Sequence, residues 1–160
     1  MSAMLVLTLT SFSQNLKALD DKYGFREAKF EMSIDSIKNL APTKESNCYK
    51  STTENLKLGD YDLTEIVYIF YKGQLSSIMI KTNGYINSRG VLNVLQSAYG
   101  KGYKSNEYIE EYYWSGKKTI MVYDENSINH NATILLWSKS MNQIEKADKE
   151  NANSKAANQL

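Results

Sequence analysis

The sequence predicts an α+β fold: an antiparallel sheet with helices on one face, built from two αβββ-like repeats and ending in a C-terminal helical tail. Three observations carry this. Segments with helical spacing alternate with runs of β-branched and aromatic residues. Lys-Gly and Ser-Gly pairs separate those runs as tight turns would. The same order of signals recurs in the second half of the chain. With 160 residues, 42% of them hydrophobic and 23% charged, the chain is large enough for one ordinary core.

The first predicted helix is Met32–Leu40. Ile34, Ile37 and Leu40 share one face, Ser33 stands at the N-cap and Pro42 ends the segment. The second is Asn87–Gly100, with Val91, Leu92, Leu95, Ala98 and Tyr99 on one stripe and Gly100 at its end. Strands Leu63–Tyr71 and Leu75–Lys81 flank Lys72-Gly73, and Tyr108–Trp114 and Lys118–Asp124 flank Ser115-Gly116. Ala132–Ser138 completes the set, with a less regular strand within Tyr49–Leu58. The halves, about 23–85 and 86–138, read as a repeat inside one domain, 14–145. Helix propensity holds from Met141 to Lys149, whereas the polar tail 146–160 is expected to fray or be disordered, above all from Asn151.

Met4–Thr10 is apolar but too short to cross a bilayer, which takes about 20 residues. It has the length of a signal-peptide core, and Ser11 and Ser13 are the small residues that a cut after Ser13 requires. No Lys or Arg precedes it, so residues 1–13 read as a signal peptide truncated by a start assigned too far downstream. A buried first strand is the competing reading. The expected location is periplasmic or secreted, in a bacterium. No Cys stands at the cut, so a lipoprotein is not expected.

Tyr23-Gly24-Phe25-Arg26-Glu27-Ala28-Lys29-Phe30-Glu31-Met32-Ser33, leading into a short helix, resembles a pattern of small exported proteins of Bacteroidetes-type bacteria. So do Tyr99-Gly100, Tyr112-Tyr113-Trp114-Ser115-Gly116-Lys117-Lys118 and Tyr123-Asp124. The tandem of helix and strands resembles the β-lactamase-inhibitor-like architecture, which is shared with the SmpA/OmlA lipoproteins of the outer-membrane assembly machine. The resemblance covers roughly residues 23–145. It implies a scaffold and brings no catalytic or binding residue with it.

Nineteen Lys and Arg against eighteen Asp and Glu leave no basic excess for nucleic acid. One Cys and one His exclude a disulfide framework and a zinc site made of those ligands, and no cofactor is expected. His130, in the polar stretch Asp124–Asn131, is the only imidazole and so the natural general base of any hydrolase or lyase. No Gly-x-Ser-x-Gly elbow accompanies it. Cys48 lacks neighbouring cations and reads as structural. Glu110 and Glu111 point to opposite faces of a strand and form no catalytic pair. Asp124-x-Asn126 begins like a calcium loop, but Asn129 stands where that loop needs Gly.

The aromatic residues carry the functional expectation. Alternation puts Tyr108, Tyr112 and Trp114 on one face of their strand and Ile109 and Tyr113 on the other. Val67, Ile69 and Tyr71 likewise oppose Ile66, Tyr68 and Phe70. With helices on one side only, one aromatic set is expected to face outward; the competing reading is that the tail or N-terminal segments cover that face and make it core. The expected function is a non-enzymatic, exported envelope module that binds a protein or peptide through Tyr108, Tyr112 and Trp114. The alternatives are a hydrolase or lyase using His130 and a purely structural envelope protein.

Overall fold

The computed structural model describes residues 14–159, so the apolar run read as a signal peptide lies outside the described residues. The chain begins with α1 (Leu16–Lys22), β1 (Gly24–Phe25), β2 (Ala28–Lys29), a 3₁₀ turn at Ile34–Ser36, β3 (Leu40–Pro42), β4 (Cys48–Ser51) and β5 (Lys57–Leu58). The long hairpin β6 (Tyr61–Tyr71) and β7 (Gln74–Thr82) leads to α2 (Gly84–Tyr99). Then come β8 (Glu111–Ser115), β9 (Thr119–Glu125), β10 (Ala132–Ser138) and α3 (Lys139–Ala157). Apart from the small β1–β2 pair, the strands form one sheet in the order β3-β4-β6-β7-β10-β9-β8, with β5 beside the start of β6. Every pairing is antiparallel. This is an α+β protein.

The β6–β7 and β8–β9 turns fall at Gly73 and Gly116, where the sequence places them. Lys72 and Gly73 both have positive φ, 51° and 77°, the backbone a two-residue turn needs to match the strand twist. The strand expected within Tyr49–Leu58 is two short pieces, β4 and β5, both pairing with β6. The first expected helix is corrected to a single 3₁₀ turn. Ser33 does cap it, accepting from the Asp35 N–H. Ile37 is then already extended, Asn39 is left-handed, and Leu40 pairs with Ser51 in β3. The Ile34 N–H is meanwhile bound to the Gly73 carbonyl at 2.9 Å, so pairing with the β6–β7 turn displaces a weak helix former. Pro42 therefore closes an edge strand, a place where its missing N–H is harmless. The halves of the chain differ accordingly: a 3₁₀ turn stands in the first and a 16-residue helix in the second. A second correction concerns the tail. Helix α3 runs on through Asn151 to Ala157, over a stretch with no Gly or Pro and with good formers at Ala152, Lys155 and Ala156.

One face of the sheet carries the core. Register aligns Ile66, Ile80, Ile134, Tyr123 and Tyr112 in one row, and Tyr68, Ile78, Leu136, Met121 and Trp114 in the next. All ten are buried. Leu19 of α1, Phe30, and Val91 and Leu92 of α2 pack into the same cluster. Asp20 pins α1 to the far hairpin by accepting the backbone N–H groups of Lys117, Lys118 and Thr119 at 2.6–2.9 Å. Among the described residues no helix is long and apolar enough to cross a membrane.

Helix α2 lies close enough to β6 that a Cβ at Gly90 would fall inside the Tyr61 ring. Gly90→Ala is therefore expected to lose about 1–3 kcal/mol of stability in urea unfolding, despite the better helix propensity of Ala. Tyr61→Ala combined with it should recover part of that loss. An unchanged midpoint for Gly90→Ala would mean that the helix does not pack this closely.

Candidate functional site

The expected binding trio does not form one surface. Tyr112 is 9% exposed and Trp114 0%, whereas Tyr108 is 91% exposed and precedes the strand. The pairing Tyr103–Tyr113 and the turn at Asn106, whose side chain accepts the Tyr108 N–H, stop β8 from starting before Glu111. Tyr112 and Trp114 are core: their rings stack with centroids 6.4 Å apart, and the indole N–H donates to the Gly100 carbonyl at 2.8 Å. The outward aromatic of this strand is Tyr113.

The opposite sheet face is apolar as well. Its central row, read across five strands, is Val67, Met79, Leu135, Val122 and Tyr113. The row beside it is Ile69, Ser77, Trp137 and Ile120, and the row on the other side is Glu65, Lys81, Thr133, Asp124 and Glu111. None of these side chains belongs to the hydrophobic core cluster. Val67 is buried, at 4% exposed, and most of the others are half-buried. In the charged row Glu65 bridges Lys81 at 2.7 Å and also Lys50 of β4 at 2.5 Å.

Two walls bound this outer face. The β3–β4 connection, with Pro42, Lys44 and Glu45, overhangs Val67 and Met79 to form a cleft of about 590 Å³. At the other end α3 sets Asn142 and Glu145 beside Trp137 and Leu135 around a second cleft of about 260 Å³. Helix α3 is held there by Asp148, which accepts from the Tyr71 hydroxyl at 2.7 Å and pairs with Lys72 at 2.6 Å. The sheet edges are closed to further strands. Tyr103 exchanges both backbone hydrogen bonds with Tyr113, and the β3 edge is three residues long and ends in Pro.

A second constellation sits at one end of the core face. Glu125, its side chain 0% exposed, accepts from the Tyr123 hydroxyl at 2.6 Å, lies 2.8 Å from His130 Nδ1 and pairs with Arg89 Nε at 3.0 Å. Arg89 also donates to Glu110 at 2.7 Å, where Lys104 and the Tyr112 hydroxyl donate as well. His130 has a left-handed backbone (φ 57°) in the β9–β10 turn and packs edge-on against Tyr85. Burial and then the Glu125 hydrogen bond push the Tyr123 phenol far up. Burial alone would raise Glu110, but hydrogen bonds from Lys104, Tyr112 and Arg89 outweigh it and hold the carboxyl at about 2.

The His130 ring is bonded to Glu125, and among the described residues no hydroxyl or thiol is bonded to it. The Ser88 hydroxyl donates to the His130 carbonyl at 2.6 Å and is engaged by Thr82. Cys48 lies in β4, with three strands between it and β9, and burial pushes its thiol up, with Glu45 adding to the effect. The Asn126 side chain is taken by the N–H groups of Ile128 and Asn129, as in an ordinary turn. Among the described residues no group of three or more His, Cys, Asp or Glu could hold a metal.

Comparison with known proteins gives no match, whether to a family model, to a curated protein or to a solved structure.

The Glu110 site has a pH signature. A carboxyl held below its ordinary value stabilises the fold above the unfolded pKa, near 4.5, and loses that contribution as pH falls toward about 2. Glu110→Gln should therefore cost roughly 2 kcal/mol at neutral pH. It should also flatten the fall in stability between pH 4.5 and 2. Parallel acid-unfolding curves for the two proteins would refute the assignment.

Proposed function

We propose that this protein is an exported, non-enzymatic binding module of the cell envelope that takes an apolar peptide or protein segment on the outer face of its sheet. The observation that carries the reading is the row Val67, Met79, Leu135, Val122 and Tyr113, with Ile69, Trp137 and Ile120 alongside. The β3–β4 connection flanks it at Val67 and Met79 and α3 flanks it at Leu135, while Met79, Leu135, Val122 and Tyr113 each stay partly exposed. Contiguous apolar surface of this kind, rimmed by charge, marks interaction sites. The closed edges favour recognition by the face over addition of a strand. The export component rests on the apolar run Met4–Thr10 and on the resemblance to small exported proteins.

Peptides selected from a random library against the immobilised protein provide the test, followed by mapping of amide chemical shifts. Perturbations are expected at Val67, Met79, Leu135 and Trp137. Leu135→Glu should weaken binding by about 30-fold, the effect of losing one interface anchor. Perturbations confined to Tyr108 or to the His130 turn would place the interface elsewhere and overturn the reading. Fluorescence gives an independent check. Of the two Trp residues Trp114 is fully buried, so any peptide-induced change should vanish in Trp137→Phe.

A hydrolase or lyase reading has one observation in its favour, the buried Glu125 carboxylate on His130 Nδ1. Such a partner orients an imidazole for base chemistry. It equally anchors a turn. His130→Gln separates the two: a base role predicts loss of turnover on p-nitrophenyl esters with the melting temperature kept, and an anchoring role predicts a lower melting temperature.

A further inference from the structure

The helix layer does not seal the core face completely. Helix α2 lies on one side and α1 with the β1–β2 hairpin on the other, and the cleft between them reaches down to the sheet. Ile80, Met121 and Ile134 form its floor, and all three are buried. Val91 and Leu95 of α2 and Phe25 of the hairpin form its walls. The volume is about 240 Å³. At about 30 Å³ for a water-sized group, it holds a chain of roughly eight heavy atoms.

The mouth has one sign of charge. Among the described residues Lys22 and Arg26 are the charged residues that line the cleft, and both are cations. Arg26 is committed to Glu54 and to the Asn55 and Lys57 carbonyls. The Lys22 ammonium donates to the Arg26 carbonyl at 2.8 Å and has no carboxylate partner among the described residues. The Tyr99 phenol, also in the lining, is raised by burial alone and has no hydrogen-bond partner among the described residues. An apolar slot with a free cation and an unmatched hydroxyl in its lining fits an amphiphile of one kind.

We infer that this cleft binds a single-chain, medium-length carboxylate, with the hydrocarbon tail over Ile80, Met121 and Ile134 and the carboxylate at Lys22. The volume leaves no room for a two-chain lipid. The cleft lies on the face opposite the outer sheet rows, so its occupancy and the proposed peptide binding stand or fall separately.

Titration calorimetry on the full chain tests this with hexanoate, octanoate and dodecanoate, each below its micelle concentration, and with octanol as the uncharged control. Affinity should rise about fourfold per methylene up to roughly eight carbons and then level off. Ala98→Trp, at an exposed position of α2 that lines the cleft, should reduce octanoate affinity at least tenfold with the far-ultraviolet dichroism unchanged. Lys22→Glu should weaken octanoate several-fold and leave octanol unaffected. Failure of the wild-type protein to bind octanoate would overturn the inference, as would affinity that keeps climbing to dodecanoate. So would binding to anionic phospholipid vesicles without binding to octanoate. If Ala98→Trp loses helical signal, the comparison of octanoate with octanol in Lys22→Glu decides, and equal losses on both ligands would refute the head-group assignment.

Discussion

A single sheet presents two faces, and here both are apolar while the helices that pack across it make one layer. The choice of which face to cover organises the rest of the molecule. The covered rows hold Trp114, Tyr123, Tyr112, Tyr68 and Phe70. The outer rows are built mostly from Val, Met, Leu and Ile. Burial free energy scales with apolar area at about 25 cal/mol per Å², so the face with the larger rings gains more from a helix layer. Leu19, Val91 and Leu92 therefore pack on the aromatic side. What remains outside is an apolar surface with a charged row along one margin, where Glu65 holds Lys81 and Lys50.

Polar groups enter this core at its ends, and two carboxylates gather them. Asp20 gathers the N–H groups of the β8–β9 turn, while Glu125 gathers Tyr123, His130 and Arg89 around the β9–β10 turn. Burying a carboxylate is costly unless charge or hydrogen bonds surround it. Each of these turns is thereby tied to a helix: Asp20 lies in α1 and Arg89 in α2. Both ends of the second sheet half are held against the helix layer by a carboxylate, which is why the imidazole at position 130 has a structural occupation already.

Much of this was legible in the residues. The β6–β7 hairpin with its Lys72-Gly73 turn, the strand Ala132–Ser138 and the stripe of α2 follow from periodicity and turn chemistry, because each is a local signal. The two-sidedness of the sheet was legible too. Which side is core was not, since that depends on the total area presented by strands distant in sequence. Tyr108 illustrates the other limit: alternation continues on paper through Tyr108–Trp114, but the Tyr103–Tyr113 pairing ends the strand at Glu111. The 3₁₀ turn at Ile34 was hidden for the same reason, its N–H being claimed by Gly73. Glu125 had a usable signal, because Met121, Tyr123 and Glu125 alternate onto the core face. Its partner Arg89 lies on another element, beyond the reach of spacing.

The middle of the sheet is a seam between β7 and β10, segments separated in sequence by α2, β8 and β9. A chain leaving the ribosome from its N-terminus completes the β6–β7 hairpin long before β10 exists. Through that interval the whole length of β7 offers unpaired backbone groups between Ile78, Met79 and Ile80, with apolar side chains on both sides. Such an edge templates pairing with other chains. Until β10 joins it, such a half-sheet carries a sticky edge, and the last strand in the chain is the one that closes it.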